Sequence, residues 1–161
     1  MIKNNDYKIE QFSDEDLDYF KNNLNLFDDF WNIDVLEDDY KSEFSKYFVL
    51  KNNSDNILGF IGIKIIVDTI EIMNIVIKKD MRGNHLSNLL LDYIIEYGKN
   101  NNLSAINLEV NNQNFIAFNL YKKYNFNIVG TRKNYYENKY DAILMTKNLE
   151  ETYEEGIWNF L

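Results

Sequence analysis

The stretch that decides the fold runs from Glu71 to Ser87 and reads EIMNIVIKKDMRGNHLS. Its isoleucine-rich first part, which ends at Ile77, predicts a buried strand. A basic turn with one glycine follows, and a run with helical spacing begins near Asn84. Backbone N–H groups at the N-terminus of a helix are unpaired and carry partial positive charge, so this turn could hold a diphosphate. The same pattern also fits a solvated basic turn that binds nothing.

The elements around this stretch predict a mixed sheet. Apolar runs and alternation predict strands at residues 7–11, 46–50, 57–67, 69–77, 104–110, 126–129 and 142–146. Spacings of three and four predict helices at residues 14–25, 84–98 and 114–124, with one or two short helices between 27 and 44. Strands that first follow one another and then alternate with helices indicate an α/β (α+β) fold. We expect one domain over residues 1–161, in which 150–161 form a C-terminal extension.

The composition excludes several kinds of site. The 161 residues contain no cysteine and one histidine, His85, so thiolate chemistry is excluded and we expect no metal site. No apolar run approaches the ~20 residues that cross a membrane, and the first residues lack an apolar leader, so we expect a cytoplasmic protein. The net charge of -9 argues against a nucleic-acid partner and suits a cationic substrate, although acidity also serves solubility alone.

A second segment could bring a carboxylate and a phenol to one cleft. Glu109 lies between two apolar residues of a predicted strand, so its side chain points away from the apolar face. In the helix that follows, Asn114 and Tyr121 recur at a helical spacing and share one face. A carboxylate and a phenol on adjacent elements could act as an acid–base pair. The alternative interpretation is a solvent-facing carboxylate and a half-buried core tyrosine.

These motifs, with a third segment at 131–145, resemble the GNAT acetyltransferases, and within them the bacterial ribosomal-protein-alanine N-acetyltransferases. The resemblance covers roughly residues 46–148 and implies the GNAT fold, a mixed, mostly antiparallel sheet of about six or seven strands flanked by about four helices. The matching stretches are Glu71–Ile77, Arg82–Ser87, Leu108–Val110, Asn114, Ala117, Leu120–Tyr121, Asn125–Phe126, Arg132–Tyr136 and Asp141–Met145.

The resemblance also implies a co-substrate, acetyl-coenzyme A, and the residues that bind it. Its pantetheine arm would pair with the backbone of Ile75, Val76 and Ile77 like an added strand. Asn114 and Tyr121 would help to position it. The diphosphate would lie on the loop formed by Arg82, Gly83, Asn84, His85, Leu86 and Ser87.

By the same resemblance, Glu109 is the general base, acting through water, and Tyr121 is the general acid that protonates the leaving thiolate. Glu109 and Tyr135 would border the acceptor amine. Two loop residues depart from the family's pattern, because His85 replaces the usual second glycine and Ser87 stands where glycine or alanine is usual. We expect the imidazole of His85 to point outward and to take no part in catalysis.

Three functions remain open for such a protein, as a monomer or a homodimer. The first is acetylation of the N-terminal α-amine of a ribosomal protein, and the second is acetylation of a small amine such as a polyamine or an amino acid. The third is a regulatory protein that binds coenzyme A without turnover. Acidic residues before the second predicted strand would suit a polycation or a basic ribosomal protein, and these are Asp28, Asp29, Glu37, Asp38 and Asp39.

Overall fold

The computed structural model describes residues 6–27 and 32–150. Trp31 and the aromatic residues of the predicted extension, Trp158 and Phe160, lie outside these ranges. Seven strands and four α-helices occur in the described residues. In chain order they are β1 (Tyr7–Gln11), α1 (Asp14–Asn22), α2 (Ile33–Tyr40), β2 (Ser45–Asn52), β3 (Ile57–Ile66), β4 (Thr69–Ile77), α3 (Leu86–Asn100), β5 (Ala105–Asn111), α4 (Phe115–Lys123), β6 (Asn127–Tyr136) and β7 (Tyr140–Asn148).

All seven strands form one sheet in the order β1-β2-β3-β4-β5-β7-β6. Neighbouring strands are antiparallel except for β4 and β5, which are parallel. The predicted mixed, mostly antiparallel sheet with helices on it is therefore confirmed. No helix in the described ranges has the length and apolar character to cross a bilayer.

Two hydrophobic cores lie on opposite faces of the sheet, because adjacent strand residues belong to different cores. Leu50, Ile61 and Ile77 pack with α3 and α4, whereas their neighbours pack with α1 and α2. In the second core the ring of Phe60 lies 5.0 Å from that of Phe20, centre to centre. Helix α1 begins with the predicted cap, since the Ser13 hydroxyl and the Asp16 side chain bond each other's backbone N–H groups.

Several predicted boundaries were wrong. Helix α3 begins at Leu86 rather than near residue 84, because His85 has a left-handed backbone with φ of 57°. Helix α4 begins at Phe115, because Asn114 is its N-cap and not a helical residue. The closing strands β6 and β7 are longer than predicted, because β6 is exposed along nearly all its length and shows no apolar alternation.

Candidate functional site

A gap opens in the middle of the sheet between β4 and β5. The two strands pair only from Thr69 and Ala105 to Ile72 and Leu108. Beyond this point β4 continues to Ile77 and β5 to Asn111 without pairing to each other. Backbone groups along such an edge require partners. The open side of β4 could therefore accept an extended ligand as an added strand.

The other side of β4 is firmly held by β3 through the same stretch. Ile75, Val76 and Ile77 pair with β3 as far as Gly59. A Cβ atom on Gly59 would lie 2.2 Å from the carbonyl oxygen of Val76, so only glycine permits this close approach. The pairing of β3 and β4 shifts register between Gly62 and Ile63, as at a β-bulge. The bulge coincides with the point at which β4 and β5 separate.

The N-terminus of α3 lies just beyond the open end of β4 and lacks a capping side chain. The other three α-helices of residues 6–27 and 32–150 are capped by the side chains of Ser13, Asn32 and Asn114. In α3 the N-cap residue, His85, makes no side-chain hydrogen bond to the helix. The first N–H groups of α3 therefore remain available to an anion.

The turn before α3 adds positive charge and an open surface. The Arg82 guanidinium turns back toward the strand, and its Nε donates to the carbonyl oxygen of Ile77 over 3.3 Å. Gly83 has φ of +78°, and no atom lies within 4 Å of the position that its Cβ would occupy. Asn84 steadies the turn by donating to the carbonyl of Met81 over 3.0 Å. His85 is exposed and Ser87 is half-buried. These groups fit a diphosphate joined to a chain that follows β4.

Of the two predicted acid–base residues, Glu109 lies on the stretch of β5 that borders the gap, and Tyr121 lies on α4. Burial alternates along β5 as predicted, with Glu109 between the buried Leu108 and Val110. The Glu109 side chain is 29% exposed, and its Oε1 lies 3.2 Å from Nη2 of Arg132. Tyr121 is buried in the core beside Phe126, with ring centres 5.7 Å apart.

Burial and, to a smaller extent, the neighbouring Tyr136 raise the pKa of Tyr121 to about 12. The phenol is therefore protonated throughout the neutral range. Burial and, to a smaller extent, the negative charge of Glu109 raise the pKa of Tyr136. Tyr136 thus lies within electrostatic reach of both predicted catalytic residues.

Arg132 and Tyr136 were missed as site residues by the sequence reasoning, although both belong to a matched stretch. Tyr135, the predicted wall of the acceptor site, is exposed, and its ring lies 5.1 Å from that of Tyr136. The Arg132 guanidinium lies 5.4 Å from the centre of the Tyr135 ring. The pairing of β6 with β7 is irregular between Arg132 and Tyr136, so strand alternation could not have indicated where these side chains lie.

Asn114 has a capping role that its prediction did not include. Its Oδ1 accepts the backbone N–H of Ala117 over 3.1 Å, at the start of α4. The amide nitrogen and the second lone pair of Oδ1 are left to reach a ligand. A role in positioning the co-substrate remains a prediction.

Two of the four acidic residues of α2 form ion pairs with lysines. Glu37 pairs with Lys21 over 2.8 Å and Lys41 over 2.9 Å, and these contacts lower its pKa to about 2. Asp39 pairs with Lys64 over 2.6 Å and also accepts a hydrogen bond from the Tyr47 hydroxyl. Asp28 and Asp29 lie outside the described residues. The described part of the acidic region therefore offers less free charge to a polycation than its sequence indicates.

The sequence model of the acetyltransferase (GNAT) family matches residues 6–126. A candidate ribosomal protein bS18-alanine N-acetyltransferase of Bacillus subtilis (strain 168) is 34% identical over 112 residues, which are 69% of this chain and 74% of that protein. Two solved structures share the fold. The ribosomal-protein-S18-alanine N-acetyltransferase of Escherichia coli matches with a TM-score of 0.82 and 23% identity, over 93% of this chain and 98% of the other. The spermidine N-acetyltransferase of Vibrio cholerae, in complex with CoA and spermine, matches with a TM-score of 0.75 and 21% identity, over 91% of this chain and 97% of the other.

Proposed function

This chain belongs to the acetyltransferase (GNAT) family and is an N-acetyltransferase, and from that premise we propose that it acetylates the N-terminal α-amine of ribosomal protein S18, with acetyl-coenzyme A as donor. The observation that carries the proposal is the continuity of the open β4 edge with the uncapped N-terminus of α3. The acceptor follows from the likeness to S18-alanine N-acetyltransferases, and the place of reaction would be the cytoplasm.

The donor would supply an activated acetyl group, and the chain would hold it along β4. Backbone groups of Ile75 to Ile77 would pair with its amide-containing arm, and one N–H there would polarise the thioester carbonyl. The amides that begin α3, together with Arg82, would hold the diphosphate. The half-buried Ser87 is small enough to permit this approach.

In the proposed reaction the acceptor nitrogen forms a bond to the acetyl carbon as the carbon–sulfur bond breaks. The amine must first lose a proton, which Glu109 would take through water. Tyr121 would donate a hydrogen bond to the leaving thiolate, because its raised pKa keeps the phenol protonated. No covalent intermediate with the enzyme is required, and the chain contains no cysteine to form one.

The chemistry of proton removal favours an α-amine. The reference pKa of an α-amine is ~7.7–8.0, whereas that of lysine is ~10.4. A large fraction of α-amines is therefore already neutral at physiological pH, and a carboxylate such as Glu109 suffices as the base. The neutralised acidic groups of α2 give less support to a polyamine acceptor.

A mass-spectrometric acetylation assay tests the proposal. The purified protein and acetyl-coenzyme A would be offered a peptide with the N-terminal sequence of the host's S18, the same peptide with a blocked N-terminus, spermidine, and free alanine and lysine. We expect one acetyl group on the first peptide and none on the blocked one. Faster turnover of spermidine or of the amino acids would reject the acceptor. Binding of the donor without turnover of any amine would identify a regulatory protein instead.

A further inference from the structure

We propose that Arg132 is a positioning residue, which holds the carboxylate of Glu109 in the orientation needed for proton removal. The inference rests on the proposed role of Glu109 as the base. It adds a residue of β6, the outer strand of the sheet, to a site otherwise built from β4, β5, α3 and α4.

The contact leaves half of the carboxylate available. Arg132 approaches Oε1 of Glu109 through one nitrogen, at 3.2 Å. Among the residues that the structure describes, the second oxygen, Oε2, has no hydrogen-bond or ion-pair partner within the same limits. One oxygen is therefore held, and the other can accept a proton from a water or an amine in the gap. A side chain fixed at one atom loses less rotational freedom in the reaction than a freely rotating one.

Arg132 is itself held on its other side. Its guanidinium lies 5.4 Å from the centre of the Tyr135 ring, so it is placed between an aromatic face and the carboxylate. The next residue, Lys133, has the same charge but pairs with Asp141 over 2.8 Å. Successive strand side chains point to opposite faces, so Lys133 cannot take the place of Arg132.

The location of Arg132 predicts which kinetic constant it affects. It lies on β6, whereas the donor would be held by β4 and α3. Loss of the guanidinium should therefore lower kcat and leave the affinity for coenzyme A unchanged. Arg132→Lys should recover part of the rate, because an ammonium can still contact Oε1 but lacks the rigid planar geometry of arginine.

A double-mutant cycle tests this inference on the full chain. The proteins compared are the wild type, Arg132→Gln, Glu109→Gln and the double variant, with Lys133→Gln as a matched control for loss of charge. We expect Arg132→Gln to lower kcat for the acceptor peptide about tenfold in the wild type, but less than about twofold when Glu109 is already glutamine. Lys133→Gln should leave kcat within about twofold of the wild type.

The outcomes separate the two proposals. If the effects of Arg132→Gln and Glu109→Gln multiply, or if Lys133→Gln lowers kcat as much, the positioning role is rejected while the base assignment stands. If Glu109→Gln alone leaves kcat unchanged, the base assignment fails and the inference fails with it. Thermal unfolding and the Kd for coenzyme A, measured for each variant, show that the fold is intact. Should Arg132→Gln not fold, the same cycle is run with Arg132→Lys, for which non-multiplying effects support the role and multiplying effects reject it.

Discussion

Tyr121, the proposed proton donor, is a buried residue of α4. Its burial and, to a smaller extent, the neighbouring Tyr136 raise its pKa to about 12. It therefore stays neutral and keeps its proton where the reaction is expected to run. Glu109, which is partly exposed and paired with Arg132, lies on the stretch of β5 that borders the gap. The two residues are separated in the sequence by a loop and most of a helix, and the sheet brings their elements together.

Removal of the Tyr121 hydroxyl should slow the chemical step. Tyr121→Phe is expected to lower kcat about 100-fold, because the leaving thiolate loses its proton donor, and to leave the Kd for coenzyme A within about twofold. Steady-state kinetics and calorimetry measure the two quantities. Tyr124→Phe is the matched control for loss of a tyrosine hydroxyl, because the Tyr124 hydroxyl donates to the backbone carbonyl of Asn88 in α3 and has no proposed part in the chemistry. Equal losses in both variants would contradict the role of Tyr121.

The raised pKa of Tyr121 also predicts how stability changes in alkali. A group whose pKa is higher in the folded state adds its full contribution to the free energy of unfolding at pH values below its unfolded-state pKa, which is ~10 for tyrosine. This contribution is lost as the pH rises through the folded-state pKa. The pH window is therefore from 10 to about 12. Between pH 9 and pH 11 the wild type should lose about 1 kcal/mol more free energy of unfolding than Tyr121→Phe, measured with urea. A loss of equal size in both proteins would show that Tyr121 titrates normally.

At the scale of elements, helix α3 has an N-terminus without a capping side chain. Its first residue follows His85, whose backbone is left-handed, a conformation that glycine favours most and that histidine also adopts more often than most residues. The same geometry explains why the helix begins two residues later than its apolar spacing indicated. The imidazole is exposed, as expected.

A negative charge at position 85 should increase the stability of α3 and weaken donor binding. A carboxylate near the N-terminus of α3 interacts favourably with the helix dipole but repels a diphosphate. His85→Asp should therefore raise Tm slightly and raise the Kd for coenzyme A at least about tenfold at low salt. The neutral control His85→Asn should keep Kd within about threefold. Equal Kd values for the two variants would show that the diphosphate does not lie at this helix end.

The strands show why some elements could be predicted and others could not. The run Thr69–Ile77 was predicted with its observed ends, because it is rich in isoleucine and is bounded by the polar residues Asp68 and Lys78. The gap that opens after Ile72 could not be predicted from these residues, because nothing in their composition differs between the paired and the unpaired part. β6 was predicted too short, because only its hydrogen bonds to β7 define it. The contact of Arg132 with Glu109 depends on that strand and was missed with it.

At the scale of the whole molecule, the sheet and the charge act together. The gap lies between two firmly paired sets of strands, with β1 to β3 on one side and β7 and β6 on the other. The chain has a net charge of -9, whereas its proposed donor is anionic and its proposed acceptor is an amine. Local positive charge at the α3 turn would therefore serve the donor, while the overall field would attract a basic acceptor.

The electrostatic field of the whole chain predicts that kcat/KM for a basic acceptor depends on ionic strength. The kcat/KM for a basic acceptor peptide should fall several-fold as salt rises from roughly 0.02 to 0.3 M, because the range of charge interactions shortens. A neutral peptide with the same first residue should change little. Initial rates at limiting peptide and saturating acetyl-coenzyme A measure both. The same salt dependence for the two peptides would mean that the overall charge plays no part in acceptor capture.

Amide hydrogen exchange, measured with and without coenzyme A, tests the central claim most directly. The claim is that the donor lies along the open side of β4 and ends on the N-terminus of α3. We predict slower exchange of amides in Met73–Ile77 and at Leu86 and Ser87 when coenzyme A is added, with little change in β1 and β2. No slowing at these amides in folded protein with saturating coenzyme A, or slowing confined to other elements, would contradict the account.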